Sequence, residues 1–457
     1  MKQLLKIYSL LFVLVLFLFM LFITVPWDTF FTKDPAIIGS FLLNGALWCG
    51  LLFYELNKRA YSLLIIHWLF CFLFFFAIAF MQYMYGYFPW VGVRSDILLF
   101  RTNILLFGWT FFVLFGYKTA IKKRSAVISQ NKSTFHIPLW LVVCLTVYTV
   151  FNTIYRITTG VSIFFAQEVQ TLVYEEQSSA FLLLKGHSLQ AFSFFAAVFS
   201  IFRYKQTHKG LIYVFICVGC LLISYFPGGM SRYASAVVYG GLLLTTFDTL
   251  HKNRLFILML LVGFLVIFPF LNAFRSTSFH DVDIISAFLQ TLQQLPDIWK
   301  AGDYDAYAML TVILEHVQDY GITWGKQLLG VLLFWVPRTF WITKPIGTGA
   351  FVSMQKGWFF TNLSAPLPAE AIINVGRFGM MLWAFCVGWV ISKLDQLYWN
   401  KIDLSGHVRK PFELLYPVLI MFFFFMNRGD LLSSTAYMFA YVVIWWVLCK
   451  FCKKVII

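Results

Sequence analysis

The stretch YSLLIIHWLFCFLFFFAIAFMQYMY, residues 61–85, decides the fold class of this chain. It contains no lysine, arginine, aspartate or glutamate. At about 1.5 Å per residue, a helix of this length crosses a hydrocarbon core of about 30 Å. Because no water reaches that core, a spanning segment has to pair its backbone groups internally. Residues 61–85 are therefore predicted to form a transmembrane helix.

Comparable apolar runs recur along all 457 residues, of which 60% are hydrophobic and 12% are charged. This composition excludes an ordinary soluble domain. We predict an all-α, polytopic integral membrane protein with about 12 transmembrane helices. The predicted spans are 4–25, 36–55, 61–85, 97–116, 137–155, 180–202, 211–227, 231–248, 254–272, 372–393, 411–427 and 430–449.

Basic residues stand in every second connection between these runs, for example at Lys58 and Arg59 and again at Lys252 and Arg254. By the positive-inside rule, these connections and both termini lie in the cytoplasm. The net charge of +15 then reflects lysines that face anionic membrane lipids. It does not indicate a nucleic-acid partner.

The predicted spans divide a single membrane domain into three parts. Residues 1–272 hold the first nine helices, 273–371 form a long outer loop, and 372–457 hold the last three helices. Three stretches of the loop have helix-like apolar spacing among acidic residues: 284–295, 304–320 and 326–342. We expect short helices there that lie on or dip into the outer membrane face.

Arginine departs from the charge pattern, because eight of the thirteen fall on the outer side: Arg94, Arg101, Arg156, Arg232, Arg275, Arg338, Arg377 and Arg428. Four of them, Arg232, Arg275, Arg377 and Arg428, stand at ends of predicted helices and are expected at one depth. A guanidinium group matches phosphate oxygens, so such a set can hold a diphosphate. The alternative is that they snorkel to lipid headgroups or pair with outer carboxylates such as Asp430 and Glu370.

Two glycines precede the first of these arginines. Gly228 and Gly229 permit a tight reversal at the start of the predicted eighth helix. Unpaired N–H groups at that helix end, beside Arg232, would add to an anion site.

The segment Gly228-Gly229-Met230-Ser231-Arg232-Tyr233-Ala234 resembles the glycine-arginine turn of bacterial O-antigen and related polysaccharide polymerases, the Wzy family. Later segments resemble that family in the same order up to Ser434. They are Arg275 before the long loop, Trp335-Val336-Pro337-Arg338 with Lys344-Pro345, Ser364 to Gly379 with Glu370 and Asn374, and Arg428-Gly429-Asp430, which is nearest to the common antigen branch.

The resemblance implies a GT-C-like glycosyltransferase of the bacterial inner membrane whose active face is periplasmic. The growing glycan would pass from undecaprenyl diphosphate to an incoming undecaprenyl-diphosphate-linked repeat unit. Arg232, Arg275, Arg338, Arg377 and Arg428 would bind the diphosphate and stabilise the charge that develops on it. Membrane lipids, a chain-length regulator and a flippase are the expected partners, and no cofactor is expected.

The reaction also needs a base for the attacking hydroxyl. Glu370 is the first candidate, because Pro366-Leu367-Pro368 places it at the mouth of the tenth predicted helix; His316 and Asp319 follow. His67 and His187 stand among apolar residues and are interpreted as packing residues. No metal site is expected. Trp335, Trp341 and Trp358 of the outer loop are candidates for stacking on sugar rings.

Two other classes remain open. An O-antigen ligase would use the same donor but transfer the glycan to lipid A core; Thr361-Asn362 stands where that family usually has a His-Asn pair, which favours the polymerase. A polysaccharide flippase would place charged residues near mid-membrane, whereas these gather at the outer level.

Overall fold

The computed structural model describes residues 27–121, 133–158, 180–247, 255–274, 282–399 and 411–456, and these residues are predominantly helical. The predicted span 4–25 and the candidate Arg275 lie outside the described residues. The only strands among them are β1, Ser133–His136, and β2, Lys453–Ile456, which pair antiparallel.

The helices before the long loop follow the apolar runs. They are α1 (Trp27–Phe30), α2 (Pro35–Lys58), α3 (Leu63–Met84, with a π-helical turn at Cys71–Ala77), α4 (Asp96–Thr119), α5 (Leu139–Thr158), α6 (Ala180–Thr207), α7 (Leu211–Ser224), α8 (232–246, with a π-helical turn at Ala236–Gly240) and α9 (Leu255–Phe274, with a π-helical turn at Gly263–Ile267).

The remaining helices belong to the long loop and the C-terminal part. They are α10 (Ile284–Gln294), α11 (Ala306–Tyr320), α12 (Lys326–Leu332), α13 (Thr348–Gln355), α14 (Leu367–Trp399), α15 (Phe412–Arg428) and α16 (Leu431–Lys450). Short 3-10 turns occur at Pro227–Gly229, Leu295–Lys300 and Gly302–Tyr304.

Eight helices among the described residues are long and apolar enough to cross a membrane: α2, α3, α4, α5, α7 with its following turn, α9, α14 and α16. The protein is thus a membrane-embedded helical protein. The predicted spans 180–202 and 411–427 are also helical, as are residues 232–246 of the predicted span 231–248, but none of the three is among these eight. The helix over the last of them, α15, has 17 residues.

The chain forms two compact units. The first comprises the parts up to Lys123, Gln294–Gln396 and Phe423–Thr435; the second comprises Arg124–Gln293, Leu397–Phe422 and the part from Ala436. Each unit therefore combines segments that are distant in the sequence.

Helix α3 is the centre of the first unit. Every residue from Tyr61 to Met84 is buried, which no helix with a lipid-facing side would show. Phe80 contacts Phe41 of α2, with ring centroids 6.0 Å apart, and Phe70 contacts Phe424 of α15 at 5.8 Å. A run that is apolar on all sides is thus surrounded by protein.

His67 is the one strongly polar side chain in the middle of α3, and both of its ring nitrogens have partners. Trp109 Nε1 donates to His67 Nε2 at 3.1 Å. Because the indole can only donate, Nδ1 carries the proton and donates to Asn427 Oδ1 at 2.6 Å. The prediction that His67 is a satisfied packing residue is confirmed.

Helices α4 and α14 approach each other closely within the first unit. A Cβ at Gly116 would lie 2.0 Å from the Phe385 carbonyl oxygen, and one at Gly388 would lie 2.0 Å from that of Val113. Small residues allow such backbone contact between membrane helices.

The second unit is held by hydroxyl groups between α5 and α7 and by aromatic contacts to α16. Thr153 and Ser224 share a hydrogen bond of 2.7 Å. The ring of Phe194 lies 5.7 Å from that of Tyr441. His187 packs on Tyr437 with ring centroids 3.8 Å apart, as expected for a packing residue.

Two of the three helices predicted in the long loop occur close to their predicted bounds, as α10 and α11. The third, α12, is shorter, because the chain turns after Leu332 instead of continuing to 342. In α11, the apolar residues predicted to meet the membrane face contact protein instead. Its apolar residues, from Tyr307 to Leu314, are buried within the first unit, where the Tyr307 ring lies 5.3 Å from that of Phe41.

Replacing Gly116 or Gly388 by alanine should lower the thermal unfolding temperature of the purified protein, because the added methyl group separates α4 from α14. The matched control is Gly50→Ala in α2, where no atom lies within 4 Å of the new Cβ. Helix propensity alone favours alanine there by up to about 1 kcal/mol. Equal unfolding temperatures for the three variants would contradict the close contact.

Candidate functional site

Helix α14 is broken at Gly376, whose φ of 74° lies in the left-handed region. Such a break leaves carbonyl groups without their usual helical donors. Here the loop between α11 and α12 supplies the donors: Thr323 N donates to Ile373 O at 2.7 Å, and Gly325 N donates to Asn374 O at 3.0 Å. The break in α14 is therefore stabilised by hydrogen bonds from another part of the chain.

The side chain of Asn374 ties this loop to the start of α14. Its Oδ1 accepts from Leu328 N at 2.9 Å, and its Nδ2 donates to the Glu370 carbonyl oxygen at 2.8 Å. The loop before α12, the break and the turn that carries Glu370 are consequently one hydrogen-bonded group.

Glu370 is buried on the N-terminal side of the break. Its Oε2 accepts from the Thr348 hydroxyl at 2.7 Å, and its Oε1 accepts from Leu431 N, at the start of α16, at 2.9 Å. Within the described part of the chain, no lysine, arginine or histidine pairs with this carboxyl group. The alternative of a Glu370–Arg377 ion pair is therefore not found there.

A second carboxyl group, that of Asp430, lies beside Glu370. Leu431, which donates to Glu370, directly follows Asp430, and Gly347 directly precedes Thr348. A Cβ at Gly347 would lie 2.8 Å from the Asp430 carboxyl carbon. Burial raises the pKa of Asp430, although its hydrogen bonds to the start of α16, such as that from Ser433 N at 2.8 Å, oppose the rise. Glycine at 347 is needed for this close approach.

Arg377 follows the break directly and begins the second part of α14. Its side chain is exposed, and so is that of its neighbour Phe378. No carboxylate pairs with Arg377 among the residues that the structure describes. A guanidinium group at a helix start, without a protein counter-ion, is suited to an anionic ligand.

Arg428, by contrast, is engaged with protein groups. Its Nε donates to Asp303 O at 2.7 Å, and its NH2 group lies 3.1 Å from Asp305 Oδ1. Asp305 is fully buried and also accepts from the Ser364 hydroxyl at 2.6 Å and from Trp90 Nε1 at 3.1 Å. Sequence reasoning missed Asp305, because its partners are distant in the chain.

Arg338 and Lys344 hold the loop that follows α12. Arg338 NH1 donates to Lys344 O at 2.8 Å, and the buried Lys344 Nζ donates to the carbonyl oxygens of Phe334 and Val336 at 2.5 and 2.9 Å. Burial and the nearby Arg338 charge lower the pKa of Lys344. The segment from Trp335 to Pro345 is thus held in its turn by hydrogen bonds from its own side chains.

Arg232 belongs to the second unit, where it begins α8. Pro227–Gly229 form a 3-10 turn between α7 and α8, and a Cβ at Gly228 would lie 3.0 Å from Phe274. Ser231 accepts from Ala234 N at 3.3 Å, so this N–H group is not open to an anion. With Arg275 outside the described residues, the convergence of these arginines stays a prediction.

The other candidate bases have different surroundings. His316 is buried between Tyr320 and Phe351, whose rings lie 4.9 and 5.8 Å away. Burial, together with the charge of Lys356, lowers its pKa. Asp319 is exposed at the end of α11. Within the described chain, no hydrogen bond or ion pair joins His316 or Asp319 to Glu370 or Asp430, so the structure does not bring the three candidates together.

Glu315, next to His316, joins two cations. Its Oε2 lies 3.2 Å from Arg94 NH2 and 3.2 Å from Lys356 Nζ. Partial burial alone would raise its pKa, but these two cations together hold the pKa of Glu315 below its usual value. Arg94, predicted to lie on the outer side, therefore forms an ion pair with Glu315.

The three candidate tryptophans differ in exposure. Trp335 is exposed, whereas Trp341 and Trp358 are half-buried. Trp358 stacks on Phe360 with ring centroids 5.6 Å apart. No group of three histidine, cysteine, aspartate or glutamate side chains within the described ranges could hold a metal ion.

No protein-family model matches the chain, and no curated protein or solved structure matches it either. Any function assigned to the chain therefore rests on its own residues and on their geometry.

Replacing Arg428 by alanine should destabilise the first unit by about 3 kcal/mol, because it leaves the buried Asp305 carboxylate without its cation. The double variant Arg428→Met/Asp305→Asn should recover part of the loss, since it removes both charges. Thermal unfolding of the purified proteins measures this. A double variant less stable than Arg428→Ala would contradict the pairing.

Acidification should remove the contribution of Glu315 to stability. Because its pKa is lowered in the folded protein, that contribution is present above the usual value of 4.5 and is lost as the pH falls through the lowered pKa. Glu315→Gln should therefore unfold at a lower temperature than the unaltered protein at pH 7, with a smaller difference at pH 3. Asp297→Asn, which removes an exposed pair with Lys300, is the control and should change neither value.

Proposed function

We propose that the chain is a membrane-embedded glycosyltransferase that polymerises lipid-diphosphate-linked oligosaccharide repeat units. One observation carries this proposal: a buried carboxyl group with only neutral donors, Glu370, and an exposed guanidinium group without a carboxylate partner, Arg377, flank one break in a spanning helix. Among the residues that the structure describes, no carboxylate pairs with Arg377.

The two groups match the two needs of glycosyl transfer. In the proposed reaction, an acceptor hydroxyl oxygen attacks the anomeric carbon of the donor, and its proton passes to Glu370. The bond between that carbon and the diphosphate oxygen breaks, and its electron pair leaves with the diphosphate. Arg377 and the helix start behind it would stabilise this negative charge more in the transition state than in the bound substrate.

Burial of Glu370 sets a condition on this mechanism. The acceptor hydroxyl has to replace the Thr348 hydroxyl or reach the carboxylate through Asp430, which is less buried. Asp430 is therefore the alternative base, and the variants below separate the two.

Of the five arginines expected to bind the diphosphate, Arg377 keeps this role in the proposal, and Arg232 and Arg275 remain candidates. Arg428 and Arg338 are assigned supporting roles, because their hydrogen bonds already hold Asp305 and the turn before Lys344. Trp341 and Trp358, which are half-buried, remain the candidates for stacking on a sugar ring.

The setting proposed for this reaction is the bacterial inner membrane, with both termini in the cytoplasm and the site on the periplasmic face. The donor and acceptor would both be undecaprenyl-diphosphate-linked glycans, in a GT-C-like helical frame. A chain-length regulator and a flippase are the proposed protein partners. The product is an O-antigen, a common antigen or a related surface polysaccharide.

Deletion of the gene in its host, followed by gel analysis of surface polysaccharide, separates this proposal from its two alternatives. Loss of a polymerase leaves single repeats on the lipid core. Loss of a ligase leaves the core without repeats, and loss of a flippase retains repeat units inside the cell. Either of the last two patterns would overturn the proposal.

Arg377→Ala should abolish the polymer ladder while the protein level and unfolding temperature stay unchanged, because the side chain is exposed and has no carboxylate partner in the described structure. The control is Arg101→Ala, which also removes an exposed arginine from a candidate spanning helix. It should leave the ladder intact. Long chains in the Arg377→Ala strain would exclude Arg377 from the site.

Glu370→Gln should also abolish the ladder, while the folded protein still binds the lipid-linked repeat unit, because glutamine keeps an oxygen that accepts from Leu431 N. Asp430→Asn, tested in parallel, should retain activity if Glu370 is the base. Activity in Glu370→Gln with none in Asp430→Asn would transfer the role to Asp430.

A further inference from the structure

Residues 324–342, which contain α12, expose an unusual set of large apolar side chains. The exposed fractions are Trp324 87%, Leu329 46%, Leu332 64%, Trp335 58%, Phe340 86% and Ile342 84%. A water-exposed loop would not normally present so many together. The surface of these six residues is called the apolar ridge below.

The opposite face of the same segment packs against the rest of the protein. Gly330 packs against Pro345, such that a Cβ at Gly330 would lie 3.0 Å from the proline ring. Gln327 and Val331 are buried. Backbone bonds at the α14 break hold the segment just before α12, so the outward orientation of the apolar ridge follows from its packing.

The apolar ridge is joined to the surface of a candidate spanning helix. The loop before α12 bonds to Ile373 and Asn374 of α14, and α14 itself exposes Phe378 and Leu382, with exposed fractions of 94% and 68%. In a membrane helix such side chains face lipid. Helix α12 has seven residues, so at about 1.5 Å per residue it is far too short to cross the bilayer.

The charges of this segment have a single sign. Residues 324–346 contain no aspartate or glutamate, and the exposed Lys326 and Arg338 flank the apolar ridge. Large apolar and aromatic side chains with lysine and arginine at their border are typical of segments at the membrane interface. The cations then meet lipid phosphates, and the apolar side chains meet acyl chains.

We infer that residues 324–342 form a wedge inserted into one leaflet of the bilayer, with lipid as the occupant of the apolar ridge. Neither a second copy of the chain nor another protein is needed to cover it. The inference does not depend on the transfer reaction proposed above. Of the stretches predicted to lie on or dip into the membrane face, 326–342 is the one to which the inference gives an inserted, lipid-covered surface, whereas α11 is buried in protein.

Spin labels test the inference in reconstituted liposomes. Labels are placed at Leu332→Cys and Ile342→Cys in a variant whose eight native cysteines are replaced. The control is Gln355→Cys, an exposed polar position on α13. At positions 332 and 342, oxygen should relax the label and water-soluble nickel chelate should not, whereas nickel should reach the label at 355.

Two outcomes would overturn the inference. Nickel access at 332 and 342 equal to that at 355 would mean that the apolar ridge faces water. Exclusion of both oxygen and nickel would mean that protein covers it. If the cysteine-free variant does not fold, a fluorescent amino acid at 332 in the otherwise unaltered chain replaces the label. Quenching by brominated lipid, with none at 355, is then the expected result, and equal or absent quenching at both positions overturns the inference.

Discussion

The structure depends on one constraint: a polar group that is withdrawn from water needs a partner inside the protein. His67 in the fully buried α3 meets this constraint with Trp109 on one ring nitrogen and Asn427 on the other. Asp305 meets it with Arg428, Ser364 and Trp90. These bonds join α3, α4, the start of α11 and the end of α15, so the packing of the first unit follows from a few obligatory polar pairs.

The same constraint gives the break in α14 its surroundings. Gly376 frees two carbonyl groups in the middle of a helix that is otherwise suited to crossing a membrane, and the loop at Thr323 and Gly325 binds them. That loop also begins the apolar ridge. Glu370 and Arg377 lie on the two sides of the break, so the geometry of the proposed site and that of the proposed membrane wedge share one support.

The arginines predicted to lie on the outer side do not have one common role. Arg428 and Arg338 donate to protein groups, and Arg94 pairs with Glu315. The arginine at these three positions thus has a structural cause: the planar guanidinium group can bind several carbonyl and carboxylate oxygens at once. Arg377 differs, since it has no carboxylate partner among the described residues.

The sequence by itself determined that the chain is helical and membrane-embedded, where most of its long helices lie, and that His67 is a packing residue. Those properties depend on the polarity of each segment, which composition and spacing report directly. The tertiary structure alone decided that α11 is buried, that Gly376 breaks α14, and that Glu370 bonds to Thr348 and Leu431. It also decided that Asp305 binds Arg428, 123 positions away. The physical reason is that a local pattern shows which side chains avoid water, whereas the partner of a buried charge is set by which helices pack together.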